Sequence, residues 1–195
     1  MKSDSKITRC SWPAEDALMI KYHDEEWGTP VHDDNKLFEF LVLDAFQAGL
    51  SWRTILYKRE NFRKAFDDFN PDKIAKYSDK KIEKLMNDAG IIRNKLKING
   101  TVENAKQFLK VQKAFGSFDQ YIWQFTNHKT KVNKRKPGDP PLATSPESDA
   151  MSADLRKRGF KFVGSTICYA FMQASGMIND HVITCFRYKE CSMIG

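Results

Sequence analysis

A chain of 195 residues that is 41% apolar and 12% aromatic can bury one sizeable core, so size alone forces no split and a single domain over 1–195 is expected. Its 32 basic and 25 acidic side chains give a net charge of +7, a mild pull toward polyanions that identifies no partner by itself. No apolar run approaches the ~20 residues of a membrane helix, MKSDSKITRC has no signal-peptide core, and four cysteines are too few for a disulfide scaffold. A soluble protein of the cytoplasm, with no membrane partner, is the expectation.

In chain order, the first candidate ligands are Cys10 and His23, which acquire meaning beside His181 and Cys185 near the other end. The H-x-x-x-C step of four predicts that His181 and Cys185 share one helix face. Two sulfurs and two imidazoles suit tetrahedral zinc, and four protein ligands leave no place for a reactive water, so such a site would only pin the N-terminal segment to the C-terminal helix. The same four residues also read as packed thiols and core histidines, as Cys168 and Cys191 read as packing or surface thiols. Trp12, Tyr22 and Trp27 crowd the region between Cys10 and the next element, where a bound metal would order an aromatic wall; each alone reads as an ordinary core aromatic.

From Lys36 to Gln47, KLFEFLVLDAFQ predicts a helix so apolar that it must be buried. Leu37, Phe40, Leu41 and Asp44 fall on one face. A buried carboxylate needs a cationic partner, a backbone amide to cap, or a cavity that admits a ligand. Gly49-Leu50 should end the helix, Ser51 should cap the next, and Trp52 opens it. A carboxylate beside an indole suits a flat cation.

Farther on, Ser78 is a candidate N-cap. Ile98, Val102, Ala105 and Leu109 recur at helical steps, and Gly116 follows a helix expected to end near Phe115. The proline- and lysine-rich stretch 129–144 should be an exposed loop, and Ser145-Pro146 should open another helix. Period-two alternation is scarce, so the fold class is all-α. ADLRKRGFKFVGSTICYAFMQASG, residues 153 to 176, predicts a basic helix ending at Gly159, a tight turn, and an apolar helix from about Ser165. Glycines at such a turn and free N–H groups at the following helix start can hold phosphates, with Lys157, Arg158 and Lys161 nearby; glycine-ended helices are also common without any such role.

YHDEEWG at 22–28, QAGLSW at 47–52, DAGIIRN at 88–94, RGFKFVGSTICYAFMQASG at 158–176 and NDHV at 179–182 together resemble the 3-methyladenine DNA glycosylase I family, over roughly Arg9 to Cys185. The resemblance implies the helix-hairpin-helix DNA glycosylase fold: two helical lobes around a cleft that receives a base flipped from duplex DNA, with one structural zinc on Cys10, His23, His181 and Cys185. It implies base contacts from Trp12, Tyr22, Trp27 and Trp52, a wedge at Leu50 beside Gly49, and DNA contacts from Lys161, Gly164, Ser165 and Thr166. Asp44, the implied catalytic carboxylate, stands where the family usually has glutamate, so its oxygens retreat by about one C–C bond, ~1.5 Å.

Thr166 occupies the hairpin position where strand-cutting members of the superfamily have a lysine, which implies base excision without a lyase step. Asp180 is the alternative carboxylate, with orientation of His181 as its more ordinary role. The expected partners are double-stranded alkylated DNA and free 3-methyladenine as product, for a monomeric enzyme. Two other readings remain open: a glycosylase with a different alkylpurine preference, because a shorter carboxylate enlarges the pocket, and a non-catalytic zinc-stabilised DNA-binding module.

Overall fold

The computed structural model describes residues 7–194; residues 1–6, part of the stretch read as lacking a signal peptide, lie outside them. Helices dominate: α1 (Ala17–Glu25), α2 (Asp34–Gln47), α3 (Trp52–Ala65), α4 (Pro71–Ile74), α5 (Asp79–Met86), α6 (Lys95–Phe115), α7 (Phe118–Trp123), α8 (Pro146–Lys157), α9 (Ser165–Ala174) and α10 (Phe186–Ile194). The expectation of an all-α fold holds with one small addition, a two-residue parallel pairing of β1 (Lys131–Val132) with β2 (Ile178–Asn179). No helix among the described residues is long and apolar enough to cross a membrane.

Local chemistry sets the helix starts. Ser51, Ser78, Asn94 and Ser117 each accept a backbone N–H in the first turn of α3, α5, α6 and α7. Ser145 and Ser148 form a reciprocal capping box at the start of α8, with Pro146 where a first helical turn tolerates it. α6 ends at Phe115 and Gly116 follows with positive φ, as its sequence predicts.

α2 is the central element. Its ten consecutive residues from Leu37 to Phe46 are all buried, so it has no solvent face and must be wrapped on every side. α3, α6 and α9 supply the wrapping. Phe46 meets Phe62 of α3 edge-on at 4.8 Å between ring centroids, and Phe38 meets Phe108 of α6 at 4.9 Å. Each such buried side chain contributes roughly 1.5–3 kcal/mol of apolar transfer. At the N-terminal end of α2, Asp34 accepts from the backbone N–H groups of Phe118 and Asp119, which locks α7 against it.

α8, a turn at 159–164 and α9 form the predicted helix, tight turn and helix. The turn is clamped from α6: buried Asn104 donates to the carbonyl of Lys161 at 3.0 Å and accepts from its N–H at 2.6 Å, while Ser152 of α8 donates to the carbonyl of Val163 at 2.7 Å. At the far end of α9, Gly176 has φ +72°, and a Cβ there would lie 2.3 Å from the backbone of Thr29 and Pro30. The chain after α9 can therefore pass directly over the segment that follows α1, which brings its two ends together.

Candidate active site and metal centre

Those ends meet in a cluster of Cys10, His23, His181 and Cys185, all buried, with one ligand atom from each lying within 4.8 Å of the others. Cys185 Sγ is 3.5 Å from both His23 Nε2 and His181 Nδ1, and Cys10 Sγ is 3.6 Å from His181 Nδ1. The four could hold a metal ion. Their sequence spacing works differently from the expectation, however: His181 and Cys185 precede α10 in a turn closed by Cys185 N–H donating to Val182 O, so the step of four is made by a loop and not by one face of a helix.

Each imidazole is held by its other nitrogen. His23 Nδ1 lies 2.8 Å from Asp24 Oδ1, and His181 Nε2 lies 3.0 Å from the carbonyl of Trp27. Asp24 is gripped in turn by Arg9 at 2.7–2.9 Å; burial works against its charge, but Arg9 and His23 hold it below the ordinary carboxylate range. The hydrogen bond from the Cys10 thiol, opposed by burial and aided by His181 and His23, pushes Cys185 far down. The orienting carboxylate is thus Asp24, adjacent to His23 in the sequence. Asp180 does not take the role expected of it: it accepts from Asn133 Nδ2, Tyr169 OH and Gln173 Nε2, each at 2.7 Å, and has no bond to His181.

The Cys/His cluster and the aromatic residues form one wall. Trp27 packs edge-on against His181 at 4.6 Å, Trp12 lies 5.4 Å from His23 and 5.1 Å from Trp27, and Tyr22 lies 5.1 Å from Trp52. These four aromatics line a cavity of about 240 Å³ together with Asp44. That is below the several hundred Å³ usual for drug-sized ligands and suits something the size of one base. Sequence reasoning missed the polar part of the lining and the loop beside it: Gln47, Gln173, Arg135, Pro141 and Leu142 also line the cavity. The stretch 129–144 is largely exposed, as expected, but it also folds over the cavity mouth, held by the β1–β2 pairing and by Ile183 N–H donating to Arg135 O.

The two buried acids of α2 have opposite fates. Glu39 is partnered by Arg63 at 2.7 Å and Lys36 at 3.3 Å. Asp44 is 2% exposed, has no cationic partner, and its Oδ2 has no hydrogen bond at all. Of five such orphaned buried side-chain atoms among the described residues, three border this cavity: Asp44 Oδ2, Trp52 Nε1 and Arg135 Nε. An acceptor and two donors left unpaired around one space are the signature of a site that waits for a polar, planar ligand. A larger groove of about 430 Å³ between α3 and α5, lined by Lys64, Lys81 and Lys84, contains none.

Burial alone pushes the Asp44 carboxyl well above its ordinary value. Because the folded state then binds a proton more tightly than the unfolded one, this group's contribution to stability is lost as pH rises from about 4 toward the folded value. Urea melts of wild type and Asp44→Asn at pH 4 to 8 are expected to diverge, the variant gaining relative stability as pH rises; parallel curves would contradict a buried, unpaired carboxyl.

Elsewhere, Leu50 is 40% exposed at the tip of the α2–α3 turn, and Gly49 has φ +79° with open space on its side-chain side, so a large molecule can approach its backbone. Lys161 and Thr166 are exposed. Thr166, Ala170 and Gln173 recur at steps of four and three, so Thr166 lies on the cavity side of α9. Gly164 precedes α9 with no side-chain cap. The Ser165 hydroxyl is engaged by Asp149 and Ser148, which leaves its backbone as the free donor.

Comparison with known proteins fits this geometry. A family model described as methyladenine glycosylase matches residues 12–188. DNA-3-methyladenine glycosylase 1 of Escherichia coli (strain K12) is 48% identical over 183 residues, 93% of this chain and 97% of that protein. A crystal structure of 3-methyladenine DNA glycosylase I superposes with a TM-score of 0.89 at 45% identity, covering 92% of this chain and 98% of that one. A structure presenting 3-methyladenine recognition by the Staphylococcus aureus enzyme gives a TM-score of 0.89 at 33% identity, with 92% and 96% covered. With most of its length matched by that family and its aromatic, acid-bearing cavity intact, this chain belongs to the methyladenine glycosylases.

Proposed function

We propose that this protein is a DNA repair enzyme that excises 3-methyladenine from alkylated double-stranded DNA, and that the helices around the cavity form a single helix-hairpin-helix catalytic domain with two lobes and a cleft. The observation that carries the reading is the unpaired Asp44 carboxyl in a cavity walled by Tyr22, Trp27 and Trp52, with Trp12 at its rim.

Methylation at N3 makes the nucleotide cationic, so its base leaves as a neutral molecule and needs little help from a general acid. Aromatic faces attract such a cation by about 0.5–2 kcal/mol each, more as water is excluded. Asp44 accepts hydrogen bonds from the edge of the purine, and the positive charge favours the ionised carboxylate that burial disfavours in the free protein. Binding the normal, neutral adenine offers no such compensation. Water then attacks the sugar carbon as the glycosidic bond breaks through an oxocarbenium-like transition state. Leu50 fills the space left in the duplex, while Gly49, Lys161, Gly164, Ser165 and Thr166 hold the backbone. Thr166 has no amine for a Schiff base, so the strand stays intact.

The metal is zinc in this reading. With Zn–S near 2.3 Å and Zn–N near 2.05 Å, a tetrahedral site has S···N edges of about 3.6 Å; Cys185 Sγ lies 3.5 Å from His23 Nε2 and from His181 Nδ1, Cys10 Sγ lies 3.6 Å from His181 Nδ1, and all four donor atoms fall within 4.8 Å of one another. Cys10, His23, His181 and Cys185 would hold it. A closed set supplies cross-linking and not reaction chemistry. The free thiols among the described residues suit a reducing cytoplasm.

Chromatography of bases released from methylated duplex DNA tests the reading. 3-Methyladenine should appear as the main product with strands left uncut; release of a different alkylpurine would point to the altered preference that a shortened carboxylate permits, and no release at any enzyme concentration would refute the enzyme.

A further inference from the structure

Lys97, in the first turn of α6, is only 7% exposed, although lysine is among the residues least often buried. Its ammonium donates to the carbonyl of Phe46 at 2.8 Å and to that of Ala48 at 2.6 Å. Burial lowers its pKa, so keeping a cation there is costly. The two carbonyls close the C-terminal end of α2, which has no basic residue of its own in its last turn. Immediately after them the chain reverses: Ala48 leaves the helix, Gly49 takes φ +79°, and Leu50 N–H returns to Gln47 O at 2.6 Å.

A simple stop at this point needs only the glycine. A leucine driven into a base stack, by contrast, pushes back on the turn that carries it, and one backbone bond would resist poorly. Hydrogen bonds from an ammonium are roughly twice as strong as neutral ones, and here they coincide with the negative end of the α2 dipole. The same clamp brackets Gln47, which lines the cavity, and stands between Asp44 and Trp52 in the chain.

We propose that Lys97 is a positioning residue for base opening, holding the Phe46 and Ala48 carbonyls so that the Gly49–Leu50 turn is a stiff wedge when it enters DNA. This rests on the reading of Leu50 given above. The lysine touches neither base nor sugar; it acts through the turn.

Single-turnover excision is measured on duplexes carrying 3-methyladenine either opposite thymine or opposite an abasic gap, where opening costs little. Four proteins are compared: wild type, Leu50→Ala, Lys97→Met and the double variant. Lys97→Met should slow the paired substrate about tenfold and the gapped one less than about twofold. It should add nothing to Leu50→Ala, and Lys97→Arg should recover part of the loss. Should Lys97→Met not fold, Lys97→Gln, which keeps one amide donor, is read by the same comparison. Equal slowing on both substrates, or a loss that multiplies that of Leu50→Ala, overturns the proposal and returns Lys97 to general structure. Normal rates for Lys97→Met beside a defective Leu50→Ala overturn it alone; a Leu50→Ala enzyme with no defect on paired DNA removes the wedge and the proposal together.

Discussion

Asp44→Asn is expected to slow release of 3-methyladenine by about 100-fold, the worth of roughly 3 kcal/mol of charge-assisted hydrogen bonding at the transition state, while melting no lower than wild type. The pairing of those two results is the point. A carboxyl that stabilised the fold would cost stability on removal, as Glu39 should, because Arg63 and Lys36 would lose their partner. Asp44 has nothing to lose: its Oδ2 is unpartnered and its burial is opposed by desolvation. Asp44→Leu should go further and raise the unfolding free energy by about 1 kcal/mol while abolishing excision. Rates from quenched-flow release of labelled base and free energies from urea melts of the same preparations give both numbers. An Asp44→Asn protein that is active yet unstable would reverse the assignment and make Asp44 a structural residue.

If Cys10, His23, His181 and Cys185 hold a metal, its loss should do the opposite, removing stability first. Cys10 and Cys185 lie near opposite ends of the described chain, so a metal bound between them closes a very long loop; by the arithmetic of chain cross-links, opening it costs on the order of 5 kcal/mol. A strong chelator, or Cys10→Ser, is expected to lower the urea midpoint sharply and to take the cavity with it, because Trp27 and Trp12 pack on the imidazoles of His181 and His23. Elemental analysis of the purified protein should find about one equivalent of zinc. A chelated protein that melts as before, or one that never held metal, would reduce the cluster to packed thiols and histidines.

Much of this architecture is legible in the sequence because its causes are local. The caps at Ser51, Ser78 and Ser145, the glycines at 49, 116 and 159, and the apolar run of α2 each act within a turn of chain. The union of Cys10 and His23 with His181 and Cys185 is not local: residue chemistry offers it beside a reading as packed thiols and core histidines, and resemblance to a family is what favours it. What stayed hidden was decided by tertiary contacts. Arg135 and Leu142 sit in a stretch whose composition says only that it is exposed; a two-residue strand pairing lays it over the cavity. Gln173 is an ordinary polar position of α9 until Asp180 fixes its amide. The step from His181 to Cys185 fits a helix and a turn equally well; the structure has the turn, with both side chains buried. Asp24, next to His23 in YHDEEWG, was the one omitted residue that adjacency to a ligand histidine could have exposed.

Asp44 and the aromatic wall are expected to grip one purine together. A crystal structure of this protein with free 3-methyladenine addresses it directly. The ring should lie stacked within the wall of Tyr22, Trp27 and Trp52, with a nitrogen of the base about 2.7–3.2 Å from an Asp44 oxygen. A base seated elsewhere, or one that leaves the Asp44 carboxyl still unpartnered, would contradict it.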